Sequence, residues 1–352
     1  MGRLAGLSMS YKARQLLWLL LAVVLSSSTV LSADEIRLVP VEDVSTAFSG
    51  DTVTIAIRVK SEQPVEGTLQ WSHSAQQRTL NRGEADVRQS DDGPTASFDL
   101  QLPEVRDDVI YQTQVTAEFV PRGEDSAAAR LQRSLWLFPQ NPIAGRSAWA
   151  ENLQLELFDP EERTRDALKS IELPFQQSRS LSSALPDDSS DIANRNRLLL
   201  IGEGVSLAKS TLIDTAVEAA QAGRRVIVLA PEEGTFFVPG FDDDNGQTTG
   251  ELRLVRQSVI TEFDKRLDSK AWPGSRNAVP SRGLRIGAVR GRMQATVSND
   301  NFSWPWLELR YPESGGVLIF CGFRIVEHWD SGPTPRYLLV RILESLSASE
   351  PE

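Results

Sequence analysis

Four ionisable side chains follow apolar runs of the kind that build a parallel sheet. Glu203 lies in the turn Gly202-Glu-Gly204 after Leu198-Leu-Leu-Ile201, and Glu232 and Glu233 come after Arg225-Val-Ile-Val-Leu229. His328 follows a third run, Gly316-Val-Leu-Ile-Phe320. Parallel strands gather ligands at their carboxyl ends. Paired carboxylates there can do general acid and base work on a glycosidic bond, so the pattern allows a hydrolase acting on a glycan or an amide. Composition offers the plainer account. Acids outnumber bases 48 to 37, and such a chain fills its loops with Asp and Glu. Ala230-Pro-Glu-Glu233 also holds no Ser or Cys to serve as nucleophile. The sequence therefore proposes Glu203, Glu232, Glu233 and His328 as a ligand site and assigns no catalytic residue.

Other chemistry is weaker. Cys321, the only cysteine, lies inside an apolar run and reads as a small buried hydrophobe. Asp242-Asp-Asp-Asn-Gly246 fails the calcium-loop template, because Phe241 falls at the first ligand position. Gly202-Glu-Gly204 lacks the third glycine of a dinucleotide fingerprint. No cofactor and no metal are expected. Trp272, Trp304, Trp306 and Trp329 flank loops. They suit either a stacking wall for a sugar or peptide or a plug over the sheet, with the plug favoured. Arg285, Arg290, Arg292 and Arg324 are available to pair with the acids.

These groups need a scaffold, and the chain carries two periodicities. From Glu35 to Pro139 the period is two, as in Val53, Ile55, Ile57 and Val59, with turn signals such as Ser49-Gly-Asp51 and Asp91-Asp-Gly-Pro94 between runs. Seven or eight such strands predict an immunoglobulin-like β-sandwich over 34–140. Phe138-Pro-Gln-Asn-Pro142 is a stiff joint. Beyond it, strand 198–201, the amphipathic stretch Ser210 to Gly223 and strand 225–229 spell a βαβ unit. That predicts an α/β domain over 148–352, with a final helix from Pro333 to Leu346.

The second half resembles the class I glutamine amidotransferase-like group, which has a flavodoxin-like sheet. The resemblance rests on Leu198-Leu-Leu-Ile-Gly-Glu-Gly204, the helix to Gly223, Val226-Ile-Val-Leu229 and the closing Gly316–Phe320 strand with its helix. It implies a flavodoxin-like α/β fold. Active members carry a cysteine elbow where this chain has Ala230-Pro-Glu-Glu233, and a His-x-Glu where it has His328-Trp-Asp330. The resemblance thus implies a domain without its nucleophile. The whole chain also resembles a group of exported bacterial proteins, through Leu157-Phe-Asp-Pro160, Trp304-Pro-Trp306 and Gly332-Pro-Thr-Pro-Arg336. That likeness implies architecture and supplies no mechanism.

The N-terminus predicts the compartment. Arg3, Lys12 and Arg14 precede the apolar stretch Leu16 to Leu25, and small residues lead to Ala33. This order describes a cleaved signal peptide over 1–33. The apolar stretch is about half of the ~20 residues that span a bilayer. Loss of three bases takes the net charge from −11 to −14. Such a chain is expected in the periplasm or medium, bound to no nucleic acid and not stably inserted in a membrane after cleavage. The partner expected is an envelope protein or a glycan, in a binding or scaffold role.

Overall fold

The computed structural model describes residues 35–181, 197–208, 210–242, 250–270, 272 and 281–348. The expected signal peptide and positions 243 and 244 of the acidic turn lie outside them.

The first half has strands β1 (Arg37–Pro40), β2 (Thr46–Phe48), β3 (Thr52–Lys60), β4 (Gly67–Ala75), β5 (Arg78–Asp86), β6 (Arg88–Ser90), β7 (Gly93–Gln101), β8 (Tyr111–Pro121) and β9 (Ala129–Phe138). They form two sheets, in the orders β1-β3-β7-β6 and β2-β9-β8-β4-β5. The period of two puts Ile57, Val59, Phe98 and Leu100 of one sheet against Leu69, Val115, Phe119 and Leu137 of the other, in one core. Trp71 stacks on Phe98 at 4.6 Å between ring centroids. Gly83 makes room for it, since a Cβ there would meet the Trp71 ring at 2.7 Å.

His73, in β4, breaks the apolar pattern. It is fully buried, and among the described residues neither ring nitrogen has a hydrogen-bond partner. Burial holds its pKa below the usual 6.5. A group so depressed is neutral when folded and takes up a proton on unfolding once pH drops below about 6.5, so stability is lost with acid. Replacement His73→Leu should raise the unfolding free energy by about 1 kcal/mol or more at neutral pH, because an orphaned buried polar group is removed. It should also flatten the loss between pH 7 and 5. Urea titrations at several pH values measure both.

The second half adds β10 (Leu155–Phe158), β11 (Gln176–Ser178), β12 (Leu198–Ile201), β13 (Arg225–Leu229), β14 (Thr235–Asp242), β15 (Glu251–Val255), β16 (Gly283–Val289), β17 (Arg292–Ser298), β18 (Trp306–Tyr311) and β19 (Gly316–Cys321). Its helices are α1 (Ser147–Asn152), α2 (Arg163–Ser170), α3 (Ser210–Gln221), α4 (Ser258–Phe263) and α5 (Pro333–Ala348). The strand–helix–strand unit β12–α3–β13 is present, and its strands pair in parallel.

The expected flavodoxin-like α/β domain is not what forms. Among the described residues strand outweighs helix, 44% against 17%, in four sheets. After β13 the connections stop being helical crossovers. β18 and β15 join the large sheet antiparallel, giving the mixed order β11-β10-β12-β13-β19-β18-β15. β14, β17 and β16 form a separate antiparallel sheet. The cause is local. Arg290 and Gly291 both have positive φ, 53° and 76°, which suits a tight hairpin between β16 and β17. The segments on either side alternate with period two. One face of the large sheet packs on Leu168, Leu338 and Ile342 of α2 and α5. The other packs on α3 and on Phe236, Leu284 and Ala295 of the small sheet, where a flavodoxin-like domain would carry helices.

The two halves share a packed junction. The buried Asp268 carboxylate accepts hydrogen bonds from the Ser45 amide (2.9 Å), the Ser45 hydroxyl and the Thr46 hydroxyl (2.5 Å). The Tyr337 hydroxyl donates to the Pro139 carbonyl at 3.0 Å, and its ring meets Phe138 edge-on.

Candidate functional site

β12, β13 and β19 are adjacent and parallel, so the turns after Ile201, Leu229 and Cys321 meet at one sheet edge. Gly202 must be glycine there, because a Cβ would lie 2.5 Å from Asp159 Oδ1. Asp159 is fixed by the Arg165 amide, which donates to it at 2.8 Å. The Glu203 amide donates to Thr164 Oγ1 at 2.9 Å, which ties the turn to α2. Gly204 has φ +86°. Ala230, at the end of β13, also has positive φ, in a region that ordinarily favours glycine. Its amide donates to the Cys321 carbonyl at 2.7 Å, which locks the neighbouring turns together.

A cleft of about 110 Å³ opens between these turns. Arg163, Arg282 and Arg324 line it beside Glu161, Glu203, Glu232 and Glu327. Arg324 forks onto both Glu327 oxygens at 2.9 and 3.1 Å. Among the described residues Arg163 and Arg282 have no ion pair within the chain. The cleft therefore presents both signs of charge.

Glu203 is the buried member, with 7% of its surface exposed. Its two oxygens are taken: Oε2 accepts the Val326 amide at 2.7 Å and Oε1 the Glu327 amide at 2.9 Å. Burial pushes its pKa up to about 7, against the pull of those two amides. It anchors the turn that follows β19.

The four residues read from the sequence do not converge. Glu232 is exposed and lines the cleft with Glu203. Glu233 turns to Ser206, whose hydroxyl donates to it at 3.2 Å. His328 stands edge-on to Trp272, 5.7 Å between ring centroids, and its Nδ1 lies 3.3 Å from the Ser331 hydroxyl. Among the described residues the only acid near its Nε2 is Glu327, at 3.9 Å. Burial lowers its pKa. Of the four arginines offered as partners only Arg324 reaches the cleft. Arg285 pairs with Asp300 at 2.7 Å, and Arg292 lies over the Phe237 ring. Arg163 and Arg282 went unforeseen. The one signal for Arg163 was its place at the start of a helix facing the strand ends.

The tryptophans plug the fold. Trp272, Trp306 and Trp329 are 0%, 1% and 5% exposed, and the Arg256 guanidinium covers Trp304 at 3.9 Å. Cys321 is fully buried in β19, and burial pushes its thiol up to about 12. Native protein should therefore resist iodoacetamide at pH 8, whereas urea-unfolded protein should react at the rate of a free thiol. Mass spectrometry of both samples checks this.

No family model and no curated protein matches the chain. Among solved structures, Spo0M, the sporulation control protein of Bacillus subtilis, is 14% identical with a TM-score of 0.23, over 34% of this chain and 56% of its own. The fibronectin(III)-like modules of Clostridium thermocellum CbhA are 7% identical with a TM-score of 0.20, over 29% and 94%. Bifidobacterium dentium β-glucuronidase is 11% identical with a TM-score of 0.22, over 66% and 42%. The chain thus spans less than two thirds of Spo0M and of the glucuronidase. None of the three is an amidotransferase. Likenesses this slight define neither fold nor activity.

Proposed function

We propose that this chain is an exported binding or scaffold protein of the bacterial cell envelope that does no catalysis of its own. One observation carries the non-catalytic part. Glu203, the acid best placed to work, has each oxygen committed to a backbone amide. A general acid or base must offer its proton site to the substrate within hydrogen-bond reach. Of the other three, His328 faces Trp272 and Glu233 faces Ser206, which leaves Glu232 alone beside Glu203 in the cleft. The mixed charges of the cleft suit recognition of a polar group that carries both signs. Export is supported by the order of basic, apolar and small residues over 1–33.

The hydrolase alternative draws on one feature, a carboxyl with pKa raised to about 7 that shares a cleft with Glu232. Purified protein separates the two. Assayed on chromogenic glycosides and on peptidoglycan, it should turn over nothing above a Glu232→Ala, Glu203→Gln control. Turnover abolished in that control would establish the hydrolase. Fractionation and N-terminal sequencing test export: the envelope fraction should hold a chain beginning near Asp34. A chain that keeps Met1 in the cytosol would reverse that part.

A further inference from the structure

A second cavity, lined by none of the residues of this cleft, lies along one open side of the sandwich. It encloses about 440 Å³. Its apolar wall combines Val53 and Ile55 of β3 with Ala117, Leu131 and Leu135 of the facing sheet. Volumes of this order hold ligands with several apolar groups.

The strand register explains why the side is open. β1 pairs with β3 only from Pro40 opposite Ile57 to Arg37 opposite Lys60, with one more bond from the Val41 amide to the Ala56 carbonyl. The chain then crosses to the other sheet, where β2 pairs with β9. β3 itself begins at Thr52. Ala56 points its peptide groups toward β1, so alternation points those of Thr54 and Thr52 the same way. Among the described residues no strand pairs with them on that side. The described chain enters β1 opposite Lys60, at the far end of β3 from the cavity.

We propose that this open edge takes up an extended peptide from a partner protein, which adds as a strand beside Thr52–Ala56 and buries alternate apolar side chains in the cavity. Two independent features select this occupant. The free peptide groups of Thr52 and Thr54 demand a hydrogen-bonding backbone, which an alkyl chain lacks. The apolar wall beneath them demands side chains at every second position. Charge sets the ends of the peptide. Glu42 and Asp51 border the cavity, while its Asp330 is paired with Arg336 and its Arg133 is held by Asp43 and the Glu42 carbonyl, so the mouth favours Lys or Arg. A glycan fits poorly, because Phe48 is the only aromatic ring in the lining. The proposal deepens the binding role by naming a partner class. It needs neither export nor the Glu203 cleft, so it can fail while that role stands.

The probe is a fluorescein-labelled peptide, Lys-Val-Ser-Val-Ser-Val-Lys, titrated with the full chain by anisotropy. Saturable binding is expected. Methylating the amides along one edge of the peptide should weaken it about tenfold or more, as should replacing both lysines by glutamates. In the protein, Ala117→Phe fills the cavity from the facing sheet and should abolish binding while the chain still melts cooperatively. Should that variant misfold, Thr54→Pro removes an amide that faces the open edge and not β7. It should weaken binding by the same order. Binding that survives every one of these changes overturns the proposal. So does the absence of saturable peptide binding, including the case where dodecylamine, below its micelle threshold, saturates the cavity and the peptide does not.

Discussion

The stability advantage of the parent protein over Glu203→Gln should shrink by on the order of 3 kcal/mol as pH rises from 4.5 to about 7, and then stay level. The direction follows from linkage. Burial raises the folded-state pKa of Glu203 from 4.5 to about 7. The folded chain therefore holds a proton that the unfolded chain has already released between those values. Its contribution is complete below pH 4.5 and is lost as pH climbs to 7. Glutamine does not titrate, so the difference between the two profiles isolates this one group. Above pH 7 the parent keeps an acceptor for both amides, whereas glutamine offers one carbonyl oxygen to the pair from Val326 and Glu327. Glu203→Ala leaves both amides unmet and should cost about 2 kcal/mol or more at pH 8. Urea denaturation at half-unit pH steps measures the series. A flat difference profile would show that the carboxyl titrates normally, and the description of Glu203 as a buried anchor would fall with it.

The same residue shows what the sequence could and could not tell. That Glu203 sits after a buried strand was legible from Leu198-Leu-Leu-Ile201, because four apolar residues between turn signals demand a strand covered on both faces. The parallel neighbours β13 and β19 were legible for the same reason. That both Glu203 oxygens face the amides of Val326 and Glu327 was not, since those residues lie over 120 positions away and nothing in their types requires an acceptor. The helix-poor architecture was missed for want of pairing information: Leu284 to Ala288 and Met293 to Val297 alternate as strands do, but nothing in them says that they form a sheet of their own with β14, which lies in a stretch rich in Gly, Pro and Asp that reads as loop. Nor does any local signal say that β15 and β18 join the large sheet antiparallel. The tryptophans illustrate the opposite case. Proline beside Trp304 and Trp306 ruled out a helix, and of the stacking wall and the plug that the sequence left open, the burial of Trp272, Trp306 and Trp329 fits the plug.

Gly322→Ala should cost about 3 kcal/mol or more, a large share of the 5–15 kcal/mol that holds an ordinary domain together. Gly322 follows β19 at the rim of the cleft. Its amide donates to the Pro305 carbonyl at 2.7 Å, and its carbonyl accepts the Arg282 amide at 2.6 Å. A Cβ at this position would lie 1.5 Å from the Arg282 carbonyl oxygen and 2.7 Å from its carbon. Both are backbone atoms, so no change of rotamer relieves the overlap, and the segment entering β16 must move. The cost is one of space, because Gly322 is not among the residues with positive φ. That displacement carries the Arg282 guanidinium out of the cleft, so the variant should lose fold stability and site geometry together. Arg282→Ala separates them. Its side chain lines the cleft and makes no ion pair among the described residues, so its removal should change stability by less than about 0.5 kcal/mol. Urea titration followed by circular dichroism compares the three proteins. If Gly322→Ala matched the parent, the close crossing of β19 and the Arg282 segment, and with it the placement of Arg282 beside Glu203, would have to be abandoned.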